Sequence, residues 1–229
     1  MPLLDLKMMR IVVHIPARLG SQRVSQKNLK NLNGRPLISY AIEAAKKSTE
    51  IADFYVNTES TEIVDVARSF GAQVYLRQPA LAEEFVTQDA INYDFALAHQ
   101  CDAFALLNPV NPLITSNEID EAIRQFFRED CDSMISVSQM RLHAFVDQKP
   151  VNFDVHQKLP RTQDIHPVTV CNWAFNIWKR DKFLRHYEKN GYSLFVGKVG
   201  YYELPSRKSV KISTEEDFIL AEALIRSGI

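Results

Sequence analysis

Apolar positions along this chain alternate between unbroken runs and a helical spacing of three and four. Arg10–Pro16 is a nearly continuous apolar run with β-branched residues, which predicts a strand buried on both faces. Asn33-Gly34-Arg35-Pro36 reads as a turn with Pro at a helix start, and Ile38, Ala41, Ile42 and Ala45 mark that helix. Asp53–Thr58 is a second strand. The helix after it carries Ile63, Ala67 and Phe70 on one face and is closed by Gly71 at the C′ position. Gln73–Leu76 is a short strand and Arg77–Val86 a loop, after which Thr87 caps a helix that buries Ile91, Phe95 and Ala98. The rhythm continues with a strand at Ala103–Leu107, a turn-rich Asn108–Pro112, and a helix capped by Ser116 or Asn117 that carries Ile119, Ala122, Ile123 and Phe126. A strand at Ser133–Val137 follows.

From Gln139 to Pro167 the periodicity weakens amid three prolines and three histidines. Strands are then predicted at Cys171–Trp178, Phe195–Glu203 and Val210–Ile212, and a helix near Asp181–Tyr187. A last helix starts at Ser213 or Thr214 and buries Phe218, Ala221 and Ile225. Strand–helix alternation with short links implies βαβ units on a largely parallel sheet. The expected organisation is one α/β domain over residues 1–229, interrupted by an excursion at 139–170 that serves as an arm, lid or dimer contact.

Composition changes this picture little. The 229 residues are 46% hydrophobic and 24% charged, as in ordinary globular domains. A net charge of −1 gives no global pull toward nucleic acid or membrane, so an anionic ligand must meet local cations. Cys101, Cys131 and Cys171 lack metal-ligand spacing and read as reduced thiols; with no signal-peptide pattern, a cytoplasmic location is expected.

Local cations are present directly after the first strand: Ala17-Arg18-Leu19-Gly20-Ser21-Gln22-Arg23, then Lys27-Asn28. Backbone N–H groups freed by a tight glycine turn, beside fixed cations, suit a polyphosphate. Neither standard phosphate-loop fingerprint occurs, so a solvated surface turn is the competing reading.

Ile15–Leu29 followed by Leu32-Asn-Gly-Arg-Pro-Leu-Ile38 resembles the opening of the acylneuraminate cytidylyltransferase family. The resemblance runs on through Asn57-Thr-Glu59, Arg77, Leu81-Ala82, Leu107–Leu113, Ser133–Val137, Pro160–Pro167, Asn172-Trp-Ala174 and Thr214–Glu222. It implies a Rossmann-like, three-layer αβα nucleotide-diphosphosugar transferase fold with a mainly parallel mixed sheet and a dimer built by the 139–170 excursion. The implied reaction joins CTP to a nonulosonic, sialic-acid-like sugar acid for surface glycans, releasing pyrophosphate; a related acceptor such as Kdo stays open.

By the same resemblance Ala17, Arg18, Gly20, Ser21, Lys27 and Asn28 hold the nucleotide phosphates, with Arg18 and Lys27 as the catalytic cations. Arg23 is open between a phosphate contact and a solvated cation. Arg77 and Thr87 fall on the base and ribose side, where Thr87 also reads as a plain helix cap. Asn108, Gln163, Asp164 and Asn172 fall on the sugar side. The family carries Asp-x-Asp for Mg²⁺ before its closing helix, where this chain has Lys211 and Ser213. An ammonium cannot ligate Mg²⁺, which leaves Asp217 as the metal candidate, against a capping reading in which Ser213 and Glu216 form the box. A third reading keeps nucleotide binding without turnover.

Overall fold

The computed structural model describes residues 9–20 and 23–228. Its centre is β1 (Ile11–Pro16), in which Ile11, Val12, Val13 and Ile15 are all essentially inaccessible. Such a strand must be covered on both sides, and the neighbours supply that cover. β4 (Asp53–Thr58) pairs parallel with β1 on one edge and β6 (Ala103–Leu107) parallel on the other. β5 (Gln73–Leu76) extends the sheet beyond β4.

On the far side, β11 (Phe175–Lys179) runs antiparallel to both β6 and β7 (Ser133–Met140). β10 (Val168–Cys171) is antiparallel to the later half of β7, and β12 (Val199–Glu203) is parallel to β7. The strand order is β10-β7-β11-β6-β1-β4-β5, with β12 on β7. The sheet is therefore mixed and mainly parallel, as expected.

Helices α1 (Ile38–Lys47), α2 (Thr61–Ser69) and α4 (Ser116–Arg128) press Ile38, Ala41, Ile42, Ile63, Ile119 and Phe126 onto one face beside Ile11, Val13 and Ile15. On the other face α3 (Gln88–Ala98) and α5 (Arg180–Asn190) cover Val12, Phe104 and Trp178 with Phe95, Phe183 and Leu184. Each such fully buried aliphatic or aromatic side chain contributes about 1.5–3 kcal/mol. A third cluster joins Val24, Leu32, Leu37 and Tyr40 to Ile212 and to Phe218 and Ala221 of α6 (Glu215–Arg226). This cluster fastens the loop after β1 to the last helix.

Several local readings shift. Pro36 does not start a helix: it pairs with Asn31 across the hairpin of β2 (Asn31–Leu32) and β3 (Arg35–Pro36). The hairpin turns through Asn33 and Gly34, both at positive φ (+48° and +90°), and the helix opens at Ile38. Gly71, at φ +79°, is the C′ residue as expected; it donates to Arg68 O while Ala72 donates to Ala67 O.

The α3 stripe is Asn92, Phe95 and Ala96, and Ala98 is exposed. α4 is capped one residue earlier than expected, by Thr115, whose N–H donates to Glu118 Oε2 (2.9 Å). Cys171–Trp178 is not one strand, because Trp173 at φ +58° breaks the chain between β10 and β11. The later strand is confined to β12, and residues 210–212 form no strand and do not join the sheet.

The excursion leaves from the end of β7 and returns into β10, so its two ends are hydrogen-bonded to each other. It carries a small hairpin, β8 (Phe145–Val146) with β9 (Lys149–Pro150).

Candidate nucleotide site

The carboxyl ends of β1, β4, β5 and β6 converge at one edge of the sheet, where ligands of open α/β sheets bind. Two cavities open there, of about 270 and about 220 Å³, and both are lined by Pro16, Arg18 and Asn108.

The larger cavity adds Arg77, Leu81, Ala82, Glu84 and Ile91. Arg77 directly follows β5, and its side chain is only 1% exposed. Nη2 pairs with Glu59 Oε2 at 2.8 Å, while Nε and Nη1 have no partner. Burial outweighs Glu59 and lowers its pKa, yet a guanidinium remains charged. Glu59 also accepts the N–H of Leu19 (3.0 Å) and so ties the loop after β1 to Arg77.

Beneath lies a second polar layer. His14 Nδ1 meets Asn57 Nδ2 at 3.2 Å, and its ring stacks on Phe95 at 4.6 Å. His14 Nε2, Asn57 Oδ1 and Asn92 Nδ2 lack partners. Burial, helped by the charge of Arg77, holds the His14 pKa down at about 3, so the imidazole is neutral.

The smaller cavity adds Arg23, Lys27, Asn28 and Val110. Ala17 is buried and donates its N–H to Asn57 O (2.9 Å); Asn28 Nδ2 holds Arg18 O (3.1 Å). Lys27 is half-buried, with Nζ on Ile212 O at 3.0 Å. Burial, then Arg23, Lys211 and Arg18, lower its pKa. Among the described residues no ion pair engages Arg18, Arg23, Lys27 or Lys211. Unneutralised cations around one cavity are the electrostatic complement of a polyanion.

Arg18, Lys27, Asn28, Arg77 and Asn108 are thus brought together. Ser21 lies outside the described residues. Gly20 is exposed and does not take a left-handed turn; Gln26, at φ +46°, does. Thr87 caps α3, accepting from the Ala90 N–H (3.3 Å), and it is the flanking Val86 and Gln88 that line the larger cavity.

Gln163, Asp164 and Asn172 line neither cavity. Asp164 pairs with Arg161 on the excursion (2.6 Å). Asn172 is buried and committed to Ser136, Ser138 and the Ala174 N–H.

Asp217 Oδ2 accepts the N–H groups of Ser213 (2.7 Å) and Thr214 (2.9 Å), so the capping box is Thr214–Asp217, one residue beyond Ser213–Glu216. Those bonds, the Ser213 one foremost, lower its pKa. Among the described residues no three His, Cys, Asp or Glu side chains stand together, and Asp217 is committed to its helix. With Lys211 and Ser213 beside it, this donor set does not fit a protein-held Mg²⁺.

Glu59 is the site residue that sequence reasoning left out of the site. Its signal was an acid just past the carboxyl end of β4, at the edge where sites form.

Compared with known families, residues 12–222 match the model of the family described as Cytidylyltransferase. This chain belongs to the cytidylyltransferase family. It is 30% identical over 220 residues to an N-acylneuraminate cytidylyltransferase of Streptococcus agalactiae serotype III, covering 92% of this chain and 52% of that protein. It is 27% identical to the post-translational flagellin modification protein B of Campylobacter coli, covering 96% of each. A CMP-N,N'-diacetyllegionaminic acid synthase of Legionella pneumophila is 37% identical over 142 residues, 58% of this chain and 60% of that protein. This cytidylyltransferase chain spans about half the length of the first curated relatives it matches.

In fold it resembles a CMP:2-keto-3-deoxy-manno-octonic acid synthetase complexed with CTP (TM-score 0.75, 14% identity, 96% of this chain and 100% of that one). A 4-diphosphocytidyl-2C-methyl-D-erythritol synthase from Anaerococcus prevotii follows at TM-score 0.69 and 13% identity, covering 96% and 98%. Both share its fold.

Proposed function

We propose that this chain transfers CMP from CTP to a nonulosonic, sialic-acid-like sugar acid, releasing pyrophosphate, in the supply of activated sugars for surface glycans. The observation that carries this reading is the joined pair of cavities. One is lined by polar Arg77, Gln88 and Asn108 beside Leu81 and Ile91, suited to a base or ribose; the other is lined by unpaired cations, suited to a triphosphate.

The sugar's anomeric oxygen attacks the α-phosphorus, and the bond from that phosphorus to the β-phosphate oxygen breaks. The electron pair leaves with pyrophosphate and the hydroxyl proton passes to water. Arg18, by a forked contact, and Lys27, as a point charge, neutralise the phosphates as charge moves to the leaving group. No group of three His, Cys, Asp or Glu side chains among the described residues would hold a Mg²⁺ for this step. The three thiols are free, as in a cytoplasmic protein, and no helix among the described residues is long and apolar enough to cross a membrane. Exposed Met140, Phe145, Val146, Val151 and Leu159 on the excursion favour a homodimer formed there.

Pyrophosphate release from each NTP, with a panel of nonulosonic acids and Kdo, tests the reading. Release with CTP and a nonulosonic acid is expected, and release with Kdo alone would reassign the acceptor. A second reading, a CTP binder without turnover, is favoured by Lys211 and Ser213. It predicts a CTP-induced rise in melting temperature and no release with any sugar.

A further inference from the structure

Residues 210–212 are bonded to Lys27 and Val110, which line the smaller cavity, and to Asn111 beside them. Ile212 donates to Val110 O (2.8 Å) and accepts Lys27 Nζ (3.0 Å), while Asn111 Nδ2 reaches Val210 O (3.3 Å). Ile212 is fully buried against Val24 and Phe218. Lys211, beside it, is exposed and outside that cluster. It is close enough for its charge to act on Lys27.

The neighbouring acid, Asp217, acts on Lys27 with the opposite sign, but its Oδ2 is held by two backbone N–H groups at the start of α6 and it makes no ion pair with these cations. Lys30, the next cation along the loop, is already paired with Glu215 and lies over the Phe218 ring. Arg18, Arg23 and Lys27 line the smaller cavity, Lys211 is near enough to act on Lys27, and among the described residues none of the four is in an ion pair.

Resting on the cytidylyltransferase reading above, we propose that Lys211 supplies, with Arg18 and Lys27, the positive charge that a protein-bound divalent cation would otherwise bring to the triphosphate. CTP then binds this chain without Mg²⁺. An acid at position 211 would act on Lys27 with the opposite sign and reduce the positive charge available to the phosphates.

The test is calorimetric titration of CTP into the full chain at constant ionic strength, in excess EDTA and in excess Mg²⁺. Expected Kd values agree within about threefold between the two conditions. Lys211→Gln is expected to weaken binding in EDTA about tenfold, the loss of one charge-assisted phosphate contact. Lys211→Asp is expected to make binding depend on Mg²⁺. Melting temperatures without nucleotide should match across the variants, because the side chain is exposed. Wild-type binding only with Mg²⁺, or Lys211→Gln binding like wild type in EDTA, overturns the proposal while leaving nucleotide binding in place. No CTP binding in either condition overturns the cytidylyltransferase reading, and this inference with it.

Discussion

The cleft and the excursion fail to satisfy their own atoms in opposite ways. At the cleft, Arg77, Asn28, Asn57 and His14 are buried with polar atoms unpartnered. Such atoms cost free energy until water or a ligand meets them. On the excursion the polar groups are well served: Asn152 alone joins Ala144, Leu142 and His166, and His143 meets Pro160 O. What lacks cover there is apolar, with Phe145 55% and Val146 63% exposed. Missing polar partners mark a place for a small polar molecule; missing apolar cover marks a place for a protein surface.

The largest expected effect lies in the cleft. Arg77→Met leaves Glu59 charged and largely buried and should cost about 3–5 kcal/mol in urea unfolding. The double variant Arg77→Met/Glu59→Met should recover most of that stability yet still bind CTP poorly; equal losses in single and double variants would break the pairing argument.

Next comes a pH dependence. His14 has a folded pKa of about 3, below the ordinary 6.5, so the unfolded chain takes up this proton first. Its contribution is complete above the unfolded pKa and is lost as pH falls toward the folded one. His14→Gln should therefore flatten the slope of stability against pH, between about pH 4 and 6, by about 1.4 kcal/mol per unit. An unchanged slope would mean that the imidazole is not held neutral.

Thr87→Ala should cost about 1 kcal/mol as a lost cap, with CTP affinity unaltered. A fall in affinity would move Thr87 into the nucleotide site. The smallest expected change in stability is on the excursion: Phe145→Ser/Val146→Ser should alter unfolding of the isolated protomer by under about 0.5 kcal/mol per site. Sedimentation should nevertheless move from dimer to monomer, and an unchanged mass would remove the excursion's role as an interface.

Regular periodicity made the sheet legible. β1, β4, β5 and β6 fall where apolar runs predict them, because each is covered by helices whose own spacing is regular. α3 was misread because Asn92 occupies a buried helical position, and a polar residue there erases the period. The break at Trp173 carries no Gly to announce its positive φ. At the site, Arg18 and Lys27 were legible as cations after a strand. Arg77 was not legible from local pattern, since its burial depends on Glu59 and on a loop distant in sequence. The tight turn expected at the glycine is found instead at Gln26, at positive φ, where the chain closes on itself through Leu29 N–H and Lys30 N–H to Gln26 O.

The bond from Lys27 to Ile212 spans 185 residues, and it has a consequence for the order in which the protein is assembled. The larger cavity draws all its lining from residues 16–108, which leave the ribosome early. The cation loop beside it gains its anchor only after residue 212 has been made and Phe218 and Ala221 have docked on Leu32 and Tyr40. A nascent chain can thus shape the pocket for one end of a nucleotide well before it can grip the other. Closing so long a loop is entropically slow. On the function proposed above, the grip on a triphosphate is then completed only once the last helix is made and docked.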